Sequence, residues 1–486
     1  MVEEEKCTVF SFLDYKLEIY YTLFFIAKHM SVPVTQIYIE KTIFLGANKQ
    51  IQGCFSNVTE TNRTNVIASN ELVSQATVKV METGTVELLL SVPVVLLMGI
   101  WSDARGMRKP LLWLPSLGLA LYSLSLILEN YFPTENFIGI FVGAAIHGLT
   151  GNMTAFIVGT NAYISDNIPL KWRTLRLLVL EILMNISLGV GNVTAGFWIS
   201  SSGFSQPMWF LFAISILATM LIFFTLDESD SHYEEGKLTW NSIKNCVSLC
   251  SCKAVANKRL WAVFFAYQIF STIHQGSERT RILFLSAYPL CFSTEDIGLF
   301  ICVLALLGAF GTLFGIIPIK LNSKFVDTLL VITGLISTLI GTVLFACSTL
   351  RWELYLSSAL MLFHALPYPT KRSISSKQVS ADMQGSVYAL LMSGQAVTMF
   401  IGPLLFNAIY ASTLHILNGL VFILAAVLLL IPLGLMGYVF SLDFKNRHGT
   451  YQDMDVPGRG TTETNENGSS TASEMTNLPN QDIYSS

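Results

Sequence analysis

Apolar residues run along this chain in long blocks, without the charge in every turn that a water-facing helix needs. From Ile297 to Ile319 every side chain is apolar, small or hydroxyl-bearing, apart from Cys302. At about 20 apolar residues per bilayer crossing, the pattern predicts spans near 19–41, 79–100, 110–129, 137–164, 175–199 and 207–226. After a polar stretch it predicts six more, near 261–285, 296–318, 325–347, 353–369, 385–408 and 415–440. The expected fold is an all-α membrane protein of twelve transmembrane helices in two six-helix halves. The layout is an N-terminal segment 1–18, a first half 19–226 with a long loop 42–78, a linker 227–259, a second half 260–440 and a tail 441–486. The tail is rich in Thr, Asn, Ser and Gly and is expected to be disordered.

Charge sets the orientation. Arg105, Arg108, Lys109, Lys171, Arg173, Arg176, Lys320, Lys324, Lys371, Arg372 and Lys377 fall in or beside alternate connections, which the positive-inside bias assigns to the cytosol together with both termini. Loop 42–78 then faces outside or lumen, and it carries two sequons, Asn57-Val-Thr59 and Asn62-Arg-Thr64, that are glycosylation candidates. The sequons at Asn152, Asn185 and Asn192 lie in predicted spans and Asn467 lies in the tail, beyond the transferase. The acidic start, Met1 to Lys6, has no cleavable-signal pattern. A Tyr451-Gln-Asp-Met454 match to a tyrosine sorting signal favours endolysosomes over the plasma membrane.

Composition agrees: 52% of residues are hydrophobic, 13% are charged, and mean hydropathy is +0.54, more apolar material than a soluble core of this size needs. With a net charge of −4 and scattered basic residues, nucleic acid is excluded as a partner. No nucleophile–base set, phosphate loop or metal-ligand cluster stands out, so no enzyme, cofactor or metal is expected. Cys246, Cys250 and Cys252 lack His or Asp at metal spacing and read as reduced linker thiols, open to acylation.

Between the second and third spans stands Gly99-Ile-Trp-Ser-Asp103-Ala-Arg105-Gly106-Met107-Arg108-Lys109. An acid at a helix end, a turn glycine and nearby guanidinium groups can form a charge latch between helices. The stretch resembles the loop signature of the major facilitator superfamily, with Met107 where that signature carries Arg. The resemblance implies two halves rocking about a midplane site, with Asp103, Arg105, Gly106 and Arg108 as the latch. Other stretches resemble the solute carrier 46 family: Arg173-Thr-Leu-Arg176-Leu-Leu-Val-Leu-Glu181, then Gly189, Gly191 and Gly196; Thr272-Ile-His274-Gln-Gly276; Tyr288-Pro-Leu-Cys291; and Arg372-Ser-Ile-Ser-Ser-Lys377-Gln-Val379 with Gln384-Gly385. In that family's folate carrier the helix-five glutamate is tied to proton coupling, which implies that role for Glu181 with His274 beside it. Asn152 stands where the folate carrier has an aspartate, so a substrate-binding role carries over to Asn152 and Arg372. Cys54 and Cys291 are the two of eight cysteines assigned to outer loops, and the family's similar bridge implies a disulfide between them.

An ionised side chain in mid-bilayer costs about 2.5–3.5 kcal/mol on insertion scales, so each needs a partner or a wet cavity. Glu181 reads either as a proton-binding carboxylate or as the structural partner of a Lys or Arg. His274 reads as a titrating imidazole or a hydrogen-bonded interior one, and His147 and His364 read as the latter. Arg372 is either a two-pronged holder of a substrate carboxylate or an anchor at the cytosolic end of helix ten. Lys28 is expected to pair with Glu82 or Glu87. The function implied is a proton-coupled symporter of organic anions, folate-like or muropeptide-like carboxylates, with protons and the bilayer as its other partners. An uncoupled facilitator and a non-transporting membrane glycoprotein receptor remain alternatives.

Overall fold

The structure, a computed structural model, describes residues 15–46, 60–228, 258–286, 290, 292, 294–315, 324–378, 384–413 and 419–452. Among these, fourteen helices follow one another: α1 (Lys16–Gly46), α2 (Glu60–Arg105), α3 (Pro110–Tyr131), α4 (Ile138–Leu149), α5 (Asn152–Asn167), α6 (Leu170–Ser202) and α7 (Ser205–Thr225), then α8 (Lys258–Ser286), α9 (Thr294–Gly315), α10 (Lys324–Cys347), α11 (Arg351–Leu360), α12 (Pro367–Ser376), α13 (Gln384–Thr413) and α14 (Leu420–Gln452). Helices α4 with α5, and α11 with α12, are the halves of single interrupted spans, which gives the twelve-span, all-α fold that the hydropathy predicts. Packing divides the chain into a body, Met1–Asp443, and a terminal unit from Phe444, of which residues 444–452 are described as helix.

Nine spans among the described residues are long and apolar enough to cross a membrane on composition alone. The others are α1, α8 and the broken α11–α12 pair, and each carries buried or partly buried ionisable groups: Lys28, Glu278 and Arg281, and Lys371 and Arg372. Large apolar side chains such as Leu89, Leu97, Phe224, Leu313 and Leu430 are more than half exposed. In a chain of this composition these are the lipid-facing positions.

Both interruptions have a local cause. Between α4 and α5, Gly151 has φ 93° and Asn152 φ 54°, left-handed values that Gly adopts freely and Asn tolerates better than most residues. Between α11 and α12 the bonds Leu362 N–H to Ala359 O (3.2 Å), His364 N–H to Met361 O (2.9 Å) and Leu366 N–H to Phe363 O (3.2 Å) tighten the chain into three-residue turns. Pro367, with no N–H to give, then starts α12.

Three expectations from hydropathy need correction. The loop placed at 42–78 is shorter, because α1 runs to Gly46 and α2 starts at Glu60; a polar helix end carries no hydropathy signal. The tail placed from 441 is helical to Gln452. Helix ten, read as 353–369, continues through α12 to Ser376, so Arg372 lies inside it and is 4% exposed. Lys371, at 1%, is likewise interior and not a loop anchor.

Helix α6 lies along α1 and α9, and α13 along α2 and α8. Two glycines permit the close approaches. A Cβ on Gly191 would sit 2.8 Å from the Met30 amide nitrogen of α1, and one on Gly311 would overlap the Leu362 carbonyl oxygen. Phe24 of α1 stacks on Phe156 of α5 with centroids 4.0 Å apart, which fixes α1 against the broken span.

Candidate functional site

Glu181 stands about three turns into α6 and is 1% exposed. Its carboxylate Oε2 lies 3.7 Å from Arg372 Nη1 of α12. The two are an ion pair beyond hydrogen-bond reach, for neither Glu181 Oε2 nor Arg372 Nε has a hydrogen-bond partner among the described residues. The Tyr267 hydroxyl of α8, whose ring faces the neighbouring Lys371, donates to Gln395 Oε1 of α13. The pair joins α6 of the first half to α12 of the second.

Lys371, one residue before Arg372, projects about 100° around α12 from it and enters an aromatic box. Its Nζ is 4.0 Å from the Tyr267 ring centroid, 4.6 Å from Phe270 and 5.7 Å from Tyr368. His274 adjoins the same box. Its ring meets Tyr368 edge-on at 5.4 Å and stacks on His364 at 5.9 Å with 6° between planes, so it adjoins Lys371 through Tyr368. His364 Nδ1 lies 2.8 Å from Met361 O in the α11–α12 turn. On α8 the residues Tyr267, Phe270 and His274 fall at helical spacing on one face, as do Tyr368, Lys371 and Arg372 on α12. Those two spacings were the signal available in the sequence for the box, which the charge pattern alone missed.

A second buried group lies wholly in the first half. Lys28 Nζ is 2.7 Å from Glu87 Oε1, and His147 Nδ1 is 2.9 Å from the same oxygen. Glu82, the other candidate partner for Lys28, pairs with Lys79 at 2.9 Å. His147 stacks on Tyr122, whose hydroxyl meets Thr35 Oγ1 at 2.8 Å.

In the loop 106–109, where the sequence led to the expectation of a latch, Gly106 has φ 65°. Arg108, fully buried, reaches Asp103 Oδ1 at 2.6 Å and Asp166 Oδ2 of α5 at 2.7 Å. Burial alone would lower its pKa, but the two carboxylates outweigh that and raise it above the usual guanidinium value. Glu228, just past α7, accepts from the Arg108 and Lys109 amides. Arg105 takes no part in this set and lies 5.8 Å from the Trp101 ring centroid. Asp166 and Glu228 were not evident from the sequence, since each is paired across the fold with a residue more than fifty positions away.

Asn152, 3% exposed, turns its side-chain oxygen to the Met153 amide at the start of α5; its position is at the break of the span, and no contact joins it to Arg372 or Glu181. Cys54, Cys291 and Asn57 lie outside the described residues, as does the side chain of Asn62 at the beginning of α2. At the end of the bundle that holds loop 106–109 the two halves are tied together: Ser165 of α5 to Tyr388 of α13 at 2.9 Å, Thr174 of α6 to Ser373 of α12 at 2.6 Å, and Thr174 to Lys377 at 2.9 Å, which also pairs with Asp327 of its own half at 2.7 Å.

The profile of the Major Facilitator Superfamily matches residues 69–326, more than half of the chain. The proton-coupled folate transporter of Rattus norvegicus is 28% identical over 362 residues, 74% of this chain and 77% of that protein. A lysosomal proton-coupled steroid conjugate and bile acid symporter of Gallus gallus is 26% identical over 365 residues, 73% and 77% of the two chains. Both relatives are members of the solute carrier 46 family. Among solved structures, the human organic anion transporter MFSD10 superposes with a TM-score of 0.68 at 15% identity, covering 88% of this chain and all of that one, which speaks to the fold.

Proposed function

The chain belongs to the major facilitator superfamily, and on that premise we propose that it is a proton-coupled symporter of organic anions working by alternating access. The observation that carries this reading is the buried Glu181–Arg372 pair, one member from each half, held at 3.7 Å without a hydrogen bond. At that separation the attraction is about 4 kcal/mol for an effective dielectric constant of about 20. A proton on Glu181 cancels it and leaves the Arg372 guanidinium to take a solute carboxylate in two-pronged fashion. Proton and anion thus enter the site together, and loss of the proton returns Arg372 to Glu181 and expels the anion. The names of the two relatives support both halves of the statement, proton coupling and an anionic solute.

His274 enters as a neighbour of the substrate space through Tyr368 and His364. Asn152 shapes the break between α4 and α5. With both termini cytosolic, the tied latch end is the inner gate and this conformation is shut towards the cytosol. The Cys54–Cys291 bridge and glycans on Asn57 and Asn62 belong to the same orientation, as does residence in the plasma or endolysosomal membrane.

The test is uptake of labelled folate and of a labelled steroid sulfate at about pH 5.5 and about pH 7.4, with delivery of the protein to the assayed membrane checked by surface labelling. Wild type should take up at least one faster in acid, and Glu181→Gln should lose the acid stimulation. Uptake equal at both pH values would make the chain an uncoupled facilitator, and none by a delivered protein would point to the non-transporting reading.

A further inference from the structure

We propose that Lys371 is an anion anchor and that the box around it takes the flat ring of the solute, so that the preferred substrates are aromatic organic monoanions. This deepens the symporter reading and rests on it only in assuming that a solute reaches the centre of the bundle.

Lys371 is 1% exposed, and its described contacts are ring faces: Tyr267, Phe270 and Tyr368. Among the described residues no carboxylate lies within 4.0 Å of its Nζ, while the neighbouring acid, Glu181, is on Arg372. Of the two adjacent cations on α12, Arg372 has a carboxylate at 3.7 Å and Lys371 has none within 4.0 Å among the described residues. An ammonium against ring faces is held more weakly than one against a carboxylate from which water is excluded. An anion arriving in the box draws the ammonium off the rings. Three aromatic faces are then uncovered beside the charge, the surface on which a flat ring stacks. Tyr368 supplies a second, independent sign of a ligand, because its hydroxyl is buried with no hydrogen-bond partner among the described residues, and buried hydroxyls are ordinarily satisfied. It is free to donate to the same anionic head. Arg372, with Glu181 at 3.7 Å, is a planar fork that suits a carboxylate, whereas an ammonium on a flexible stem asks for no particular head-group shape. Carboxylate and sulfate thus serve equally, and what is selected is one negative charge next to a flat ring.

The full-length protein in lipid nanodiscs is titrated, by calorimetry, with 2-naphthoate, with its neutral amide 2-naphthamide, and with cyclohexanecarboxylate, which has the charge without the aromatic face. Wild type should bind naphthoate at least about tenfold more tightly than either control, the factor that one charge-assisted hydrogen bond supplies. Lys371→Met should remove the preference over the amide, and Lys371→Arg should keep part of it. Phe270→Leu, which leaves the charge in place, should remove the preference over cyclohexanecarboxylate and spare that over the amide. Equal binding of naphthoate and naphthamide by wild type, no naphthoate binding at all, or an unchanged preference in well-folded Lys371→Met would each overturn the proposal. Coupling is read separately: naphthoate preference without acid-stimulated uptake would sink the symporter reading and leave this one standing.

Discussion

The Lys28–Glu87–His147 group makes a sharp test of how this fold tolerates charge inside its first half. The Lys28 and Glu87 side chains are 9% and 14% exposed and 2.7 Å apart, so replacing Lys28 by Met leaves a carboxylate in a largely dry interior with only His147 beside it. Breaking such a pair by removing one partner costs about 3–5 kcal/mol, because the remaining charge loses its compensation, whereas replacing both partners with apolar or neutral groups is often close to neutral. Lys28→Met should therefore lower the unfolding temperature of the detergent-purified protein by roughly 5–10 °C, at the lower end of what such a loss does to a large chain. The double variant Lys28→Met, Glu87→Gln should recover most of that. Melting is followed by size-exclusion chromatography of heated samples, at one fixed heating rate, since unfolding of such a protein is irreversible. A Lys28→Met protein that melts with wild type, or a double variant as unstable as the single, would refute the reasoning.

Two further outcomes follow from contacts described above. Arg108→Lys keeps the charge but cannot fork between Asp103 and Asp166, so initial uptake rates should fall several-fold with normal surface expression, while Arg108→Ala should cost about 3–5 kcal/mol and fail to reach the surface; surface biotinylation beside uptake separates the two. Gly311→Ala places a methyl on the Leu362 carbonyl and should cost about 1–3 kcal/mol through forced backbone shifts. Gly196→Ala, where nothing lies within 4 Å, should be neutral or stabilise by up to about 1 kcal/mol through helix propensity; monodisperse yield of the two proteins measures the contrast.

Hydropathy carried the number and order of the spans because lipid-facing positions must be apolar whatever they pack against. It lost the ends where that constraint lapses. The first turns of α2 from Glu60 are polar helix, and α12 hides behind Pro367 and Pro369, with Lys371 and Arg372 imitating a cytosolic loop. Motif resemblance brought Glu181 and Arg372 to notice separately, and only the fold sets them 3.7 Å apart. Asp166 and Lys371 acquire meaning solely from their neighbours, one from a loop 58 residues away, the other from two aromatic residues on α8. Arg105, which the loop pattern grouped with Asp103 and Arg108, has its side chain over Trp101.

The buried ion pairs of this protein differ in a way that sorts staples from switches. Lys28 with Glu87, and Arg108 with Asp103 and Asp166, are short, are hydrogen-bonded and lie within the first half, so a rocking motion of the two halves leaves them intact and they can be as strong as folding requires. Glu181 with Arg372 joins α6 of one half to α12 of the other, and it is long, with Glu181 Oε2 and Arg372 Nε left without hydrogen bonds among the described residues. On the alternating-access reading proposed above, a contact that parts in every cycle has to be weak relative to what replaces it, because a carrier that trapped its own charges at hydrogen-bond distance would add their separation to its barrier. The latch-end hydrogen bonds Thr174–Ser373 and Ser165–Tyr388 obey the same rule, being between neutral hydroxyls that water satisfies once the gate opens. Lys377 with Asp327 is a short, charged pair at that gate, but both members belong to the second half, so it too moves as a unit while its bond to Thr174 is given up.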